Sequence, residues 1–539
     1  MHGRVTCGLL LSAATLALAA CGSSDDGGGG AGGAGGATVS RGASEPVTVA
    51  LPTDINTFNP ITAGGSQADN TLFTALYDTL VRQSLDGSGR LEPQLATRWE
   101  VSRDARRFTF HIRDGVTCAD GDALDAAAVA ASLRYASDPR TPNGYASLIF
   151  GPRGVDSIAA DDAAQTVTVT TKAPWASLLN GFAESAAAIV CPAGLEDTRA
   201  LELRPSGSGP YALERSARGN EYVLRLRADA GRTLPQGIAL DKMPQRLTYR
   251  VVANGTTTAN LLMTDQIQAG SIATPDFRRV RDSGRFTEVT GVGLGADAML
   301  YNESEGHPGA DVNVRRALNA LIDREEATTA YSVGLGKPIT TLITPGMECY
   351  AEADGDVAPR HDPALAEQLL REAGYAKEGG AWVKDGKPLT LTLLGGAAQN
   401  SGPAFVQSVW KEFGIETRTV IGQPAQHDAL HAGNFDAVVF ELNSPTSAPE
   451  LLVNQLSGPL EQSINFAHVR NAEFEAIVEP AAAATGEERC ALWSRGQKAL
   501  MENADANPIQ ANVIAWFGRG VSFEASFWYL DSKTLQVAG

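Results

Sequence analysis

Histidine, cysteine and aromatic residues are scarce, and basic residues are outnumbered. Only 7 histidines and 6 cysteines occur in 539 residues, and aromatics make up 6%. No cysteine pair has C-x-x-C spacing, so the usual zinc frameworks are missing. Lys and Arg total 44 against 62 Asp and Glu, a net charge of −18. That balance excludes a phosphate-backbone binder, since affinity for nucleic acid rests on a basic excess. Beyond the N-terminus no apolar run reaches spanning length, which excludes a polytopic membrane protein. No G-x-S-x-G or S-x-x-K pattern makes a convincing nucleophile setting. What remains is ordinary globular composition, 43% hydrophobic and 20% charged, in a chain long enough for about three domain-sized units.

The N-terminus carries an address. Arg4 supplies a positive start, and Leu9–Ala20 forms an apolar core too short to span. Leu18-Ala19-Ala20-Cys21-Gly22 then resembles the bacterial lipobox, in which the cysteine becomes the lipid-bearing N-terminus. Residues 1–20 are read as a lipoprotein signal peptide and Cys21 as the lipid attachment site. The alternative is an ordinary secretory signal with an incidental cysteine. Gly22–Ala37 (GSSDDGGGGAGGAGGA) cannot bury anything and reads as a flexible tether within residues 21–43. Export leaves Cys118, Cys191, Cys349 and Cys490, an even number with three possible pairings. Cys118–Cys191 with Cys349–Cys490 keeps each bridge within one half of the chain. Four buried free thiols are the alternative.

Periodicity outlines the body. Val47–Leu51 reads as a strand, Thr71–Val81 as a helix, and Phe108–Arg113 as a half-buried strand closed by Asp114-Gly115. Asp125 is an N-cap signal for a helix over Ala126–Tyr135. Further strands are expected at Thr166–Thr171 and Glu221–Arg227, and helices at Asn313–Ile322 and Pro363–Glu372. Strand Leu389–Leu394, helix Ala404–Phe413 and strands Glu416–Val420 and Ala437–Phe440 then alternate as in an α/β lobe. Ile514–Phe517 reads as a short closing strand.

The order of short motifs is more specific than any one of them. It runs Phe58-Asn59-Pro60, Leu76–Val81, Leu91–Ala96, Trp99–Ser102, Phe108–Gly121 and Ser208-Gly209-Pro210-Tyr211. Val314–Arg324, Asp362–Tyr375 and Asn434-Phe435-Asp436 follow. In this succession the chain resembles the family 5 extracellular solute-binding proteins, the peptide- and nickel-type receptors of ABC importers. The resemblance implies an α/β, two-lobed periplasmic-binding-protein-like fold of type II, with the extra subdomain of the large peptide-binding class. Residues 44–80, 205–295 and 508–539 would form lobe I, 81–204 its inserted subdomain, and 296–507 lobe II. The lobes would be joined near Gly291–Asn302 and Glu502–Pro508. The implied function is capture of a peptide or similar small solute and its delivery to a membrane permease with its ATPase. The chain would act as a lipid-anchored monomer on the extracytoplasmic face, without catalysis, cofactor, metal or nucleic acid. The alternatives are a secreted hydrolase-like enzyme, an adhesive or scaffold lipoprotein, and a receptor for an oligosaccharide, an opine-like solute or a nickel chelate.

The remaining motifs have bland readings. Gly291–Ala296 fits a loose G-x-G-x-x-A pattern but precedes strand-like Ala298–Tyr301, where a dinucleotide site needs a helix. Its glycines are expected to let the chain cross between lobes. His427 and His431 share a helix face at i, i+4 and read as solvated surface. Ser206–Gly209 reads as a structural loop.

In peptide-binding relatives a strand ends in Gly-Trp, and an aspartate soon after pairs with the peptide ammonium. Here Leu442 stands at the Trp position and no aspartate follows, with Glu441 one residue away. Asn443, Ser444 and Thr446 offer neutral hydrogen bonds. The opposite wall is expected from Ala63-Gly64-Gly65-Ser66, with Trp382, Trp410 or Trp516 as aromatic walls or core residues.

Overall fold

Two long strands organise the body of the protein. The computed structural model describes residues 41–85, 88–395, 401–442, 446–460 and 463–538. The signal, Cys21, Asn443 and Ser444 lie outside the described residues.

The first half opens on β1 (Val47–Leu51), whose apolar run is almost wholly buried, as a central parallel strand requires. Next comes α1 (Gln67–Leu76). Apolar spacing placed this helix over Thr71–Val81, but it starts earlier because Ser66 and Asp69 form a reciprocal capping box. It stops at Leu76 because the next residues are used in tertiary bonds. After β2 (Val81–Gln83), four antiparallel strands form a separate sheet around α2 (Ala126–Ser137). They are β3 (Ala96–Val101), β4 (Arg107–Ile112), β5 (Val155–Asp161) and β6 (Thr166–Thr171), in the order β3-β4-β6-β5. Strict in–out alternation on β4 and β6 marks one core face and one wet face. Asp125 caps α2 by accepting from the Ala128 amide.

The chain then returns to the main sheet through β7 (Tyr211–Ala217), β8 (Glu221–Leu226), β9 (Arg246–Val251) and β10 (Ala269–Ile272). The first long strand, β11 (Thr287–Tyr301), leads into the second half. That half contains α3 (Val312–Ala320), α4 (Pro363–Glu372), β12 (Thr390–Gly395), α5 (Gly402–Glu412), β13 (Glu416–Ile421), α6 (Gln423–His431) and β14 (Ala437–Glu441). Helix α7 (Gly486–Glu502) precedes the second long strand, β15 (Ala506–Gly518). A hairpin of β16 (Val521–Ala525) and β17 (Leu530–Val537) packs back on the first half. Ile514–Phe517 is thus part of a strand of 13 residues, its continuity masked in sequence by Asn507, Pro508, Gln510 and Asn512.

The main sheet runs β13-β12-β14-β11-β15-β10-β1-β9-β8-β7. Its central pair, β11 and β15, belongs to both halves. The pair keeps register from Thr287↔Gly518 to Val292↔Val513, then resumes at Ala296↔Ala511. Between these points Gly293-Leu294-Gly295 bulges out. Thr344 closes the gap, its hydroxyl donating to the Gly293 carbonyl at 3.2 Å and accepting from the Gly295 amide at 2.9 Å. Gly295 has φ +127°, open to glycine without strain. No helix follows this glycine run, so the dinucleotide pattern is a crossing strand.

The short motifs meet in one buried knot of the first half. Asp78, fully buried, accepts from Gln94 at 3.1 Å and Ser208 at 2.9 Å, with Lys533 Nζ 3.6 Å away. Tyr77 donates its hydroxyl to the Phe58 carbonyl at 2.7 Å and accepts from the Ser206 amide. A Cβ on Gly209 would sit 2.4 Å from the Leu76 carbonyl carbon, so only glycine lets these segments cross. The Ser206–Gly209 loop is therefore a packing device.

Both bridges, Cys118–Cys191 and Cys349–Cys490, are formed. Among the described residues no helix is long and apolar enough to cross a membrane.

Candidate functional site

A hollow lies where the two halves and the crossing strands meet. It has two adjoining chambers of about 210 and 60 Å³ that share Gln83, Glu184 and Tyr529. The larger is walled by Thr290, Val292 and Leu294 of β11, by Trp528 and Tyr529 before β17, and by Pro345-Gly346 of the second half. The bulge in β11 turns its side chains toward this space. Asn70 of α1 lines the smaller chamber with Arg82, Asp531 and Lys533. A wider groove of about 910 Å³ meets the larger chamber at Gly89 and Gly346. There the halves touch: a Cβ on Gly89 would come 2.4 Å from the Gly346 carbonyl oxygen, and Gln83 Nε2 donates to that oxygen at 3.3 Å. The groove is thus an approach to the chamber, narrowed by a glycine contact.

The cations beside the chambers are already engaged. Arg82 binds Glu92 at 3.2 Å, Glu524 at 2.8 Å and Asp531 at 3.4 Å. Lys533 donates to the Thr74 and Tyr77 carbonyls, both at 2.6 Å. Burial pushes the Glu184 carboxyl well above the ordinary range, and among the described residues nothing compensates its charge.

The expected ligand residues distribute unevenly. Gly64 and Gly65 turn the chain with φ +78° and +71°. Tyr145 donates to the Gly64 carbonyl at 3.2 Å, and Asn70 donates to the Gly65 carbonyl at 3.0 Å. Asn70 also accepts from Ser185 at 2.6 Å. The loop Ala63–Ser66 therefore connects to the chamber through Asn70, with Ser66 engaged in the helix cap.

Leu442 and Trp410 do not face the chamber. Both are fully buried in separate cores of the second half, because the strand end and α5 turn those positions inward. Trp382 stacks on Phe413 and donates to its carbonyl, and Trp516 donates to the Ser526 carbonyl. Thr446 is buried, its hydroxyl accepting from the Ala448 amide. His427 and His431 pair their rings 4.2 Å apart on α6, and among the described residues no cluster of three metal-ligating side chains exists.

Glu441 has a different setting. It lies opposite Asp297 across β14 and β11, and Asn512 donates to both carboxyls at 2.8 Å. Gln510 Nε2 adds a 2.7 Å bond to Asp297, while its Oε1 is buried without a partner. Burial first, and the neighbouring Glu441 second, raise Asp297; burial also raises Glu441. A raised folded-state value means that ionisation opposes folding, so this stability is present at low pH and is lost as pH climbs. Asp297→Asn is expected to remove that loss, because a flipped Gln510 can accept from the new amide. Urea unfolding should show a wild-type decline between about pH 5 and pH 8 that is clearly smaller in the variant. Parallel profiles would contradict the shared-carboxyl account.

The residues that line the chamber were not singled out from sequence. Glu184 had a usable signal: it is the lone charge in Leu178–Ile189 (LLNGFAESAAAI). Pro345-Gly346 and Trp528-Tyr529 had none, since only the folded chain brings them to β11.

Comparison with known proteins agrees with this architecture. The pattern of the bacterial extracellular solute-binding proteins, family 5 Middle, matches residues 90–463. The chain is 28% identical over 336 residues to the glutathione-binding protein GsiB of Escherichia coli O1:K1 / APEC, which covers 62% of this chain and 62% of that one. It is 25% identical over 541 residues to heme-binding protein A of Haemophilus influenzae, covering 94% and 93% respectively. A substrate binding protein from Microbacterium hydrocarbonoxydans, solved with 4-hydroxybenzoate hydrazide, is 26% identical and superposes with a TM-score of 0.71, covering 91% of this chain and 99% of that one. The fold is that of the two-lobed binding proteins of this type. With a family match spanning well over half its length, the chain belongs to the bacterial extracellular solute-binding proteins of family 5.

Proposed function

We propose that the protein is the capture component of an ABC importer, holding a peptide or similar small solute between its halves and delivering it to a membrane permease. The observation that carries this reading is the chamber itself, which is walled by both halves and by the strand that joins them. Residues 44–80, 205–295 and 508–539 would move as one lobe carrying the insert 81–204, and 296–507 as the other. The bulge at Gly293–Gly295 and its partner strand near Ala511–Val513 would be the hinge. Closure would be driven only by what the solute gains in the closed state. Lipid on Cys21 would hold this body at the extracytoplasmic face and raise its concentration at the permease. Relatives whose names record glutathione and heme indicate that this frame accepts unlike solutes, so the ligand is set by local residues.

The reading is tested by thermal unfolding with di- to octapeptides, oligosaccharides, opine-like conjugates and nickel chelates. A binder at a hundred times its Kd adds about 2.7 kcal/mol to the native state, a clear rise in midpoint. Hydrolysis of a panel member without such a rise would favour an enzyme instead.

A further inference from the structure

Glu184 sits at the junction of the two chambers, in the apolar stretch before the short turn Ser185–Ala187. It is partly exposed and lines both chambers. Among the described residues it has no hydrogen-bond or ion-pair partner. Its neighbour Ser185 is engaged with Asn70, and among the described residues the two cations lining the chambers are held elsewhere. Arg82 is shared by three carboxylates, and Lys533 is held by two carbonyls beside Asp78. Around the chambers, two cations thus face five carboxylates once Glu184 is counted. An isolated buried carboxylate is costly unless something charged meets it. A closing cleft that excludes water strengthens that demand.

We propose that Glu184 is the charge anchor of the captured solute, and that the solute presents a primary ammonium or similarly compact organic cation to it. The inference rests on the capture reading above and narrows it. Val292, Leu294 and the Trp528 and Tyr529 rings supply an apolar wall for the rest of the molecule, while the ammonium takes the polar junction. The ammonium can belong to a peptide N-terminus or to a simple amine; both present the same three donors to the carboxylate.

Burial favours the protonated Glu184 in the empty site. Arrival of an ammonium reverses that preference, so binding releases a proton from Glu184 to solvent. The other titratable groups lining these chambers are Tyr77, Arg82, Tyr529, Asp531 and Lys533, and Tyr145 lies close enough to sense the Glu184 charge. All but Glu184 keep their partners or stay neutral at neutral pH.

The test is calorimetry on the full chain with alanyl-alanine, N-acetyl-alanyl-alanine, putrescine and N-acetylputrescine, in two buffers of different ionisation enthalpy. Wild type is expected to bind alanyl-alanine, or putrescine, with proton release. The acetyl group should abolish binding where it removes the only ammonium, and Glu184→Gln should weaken binding about 100-fold and release no proton. Alanyl-alanine alone would identify a peptide source, and putrescine alone an amine. An unchanged melting midpoint shows that Glu184→Gln still folds; Glu184→Asp serves as a second variant, retaining charge and part of the affinity. Equal binding by wild type and Glu184→Gln, or by the N-acetyl dipeptide, would overturn the proposal and leave capture intact. So would silence with both amines while a neutral or anionic panel member raises the midpoint. Silence with every panel member would overturn capture, and this inference with it.

Discussion

Arg489→Ala is expected to lower the unfolding free energy by about 3–5 kcal/mol. The guanidinium is only 1% exposed and binds the Ala481 carbonyl at 2.8 Å, the Ser177 hydroxyl at 2.8 Å, Glu348 at 3.2 Å and Glu450 at 2.6 Å. Ser177 belongs to the first half and the other groups to the second half, so one side chain ties the two together. Removing it strands the buried Glu450 carboxylate, whose desolvation is then uncompensated. Arg489→Lys keeps the charge but loses the planar fork, and should fall between the two. Pairing Arg489→Met with Glu450→Gln removes the orphaned charge and should recover much of the loss. Urea unfolding of wild type and the three variants measures these effects; a loss below about 1 kcal/mol for Arg489→Ala would mean that the cluster contributes little.

The second large effect concerns the bridges. Cys349 and Cys490 close a loop of 141 residues, and Cys118 and Cys191 one of 73. Chain entropy alone gives about 5 kcal/mol for the longer loop and about 4 kcal/mol for the shorter. Double Cys→Ser variants, unfolded in the absence of reductant, should therefore rank in that order. Cys349 adjoins Glu348 and Cys490 adjoins Arg489, so the long bridge and the ion-pair cluster hold the same two segments. Combining Arg489→Ala with loss of that bridge should cost less than the sum of the two, as for any pair of contacts sharing a backbone constraint. Strict additivity would show that they act independently.

These two devices also mark what sequence reveals and what it hides. The bridges were legible from four cysteines and the preference for pairing within each half. The helices that follow strong caps were legible as well: Asp125 opens α2 and Asp362 opens α4. So were the strands with clean alternation, β6 among them. Strand β15 was less so, because Gln510 and Asn512 turn their side chains onto Asp297; Gln510 is only 1% exposed. The α1 start was misplaced because an Asp at the third helical position closes the capping box where Glu is the commoner signal.

The site was harder still. Its walls come from β11, from Pro345-Gly346, from the segment around Glu184 and from Trp528-Tyr529, segments up to several hundred residues apart. No periodicity links them. The motifs that identify the family, by contrast, are mostly structural. Asp78, Gln94, Ser208 and Tyr77 form a buried knot, and Asp436 accepts from the Thr392 amide and meets His307 at 2.8 Å. They maintain the frame.

The most direct measurement is calorimetry of Val292→Trp against wild type, using whichever panel compound raises the wild-type midpoint. Val292 lines the larger chamber on the crossing strand, and an indole there fills space that the solute needs. The account predicts that binding heat disappears while the unliganded protein melts cooperatively as before. Undiminished binding in Val292→Trp would place the solute elsewhere and contradict capture between the halves.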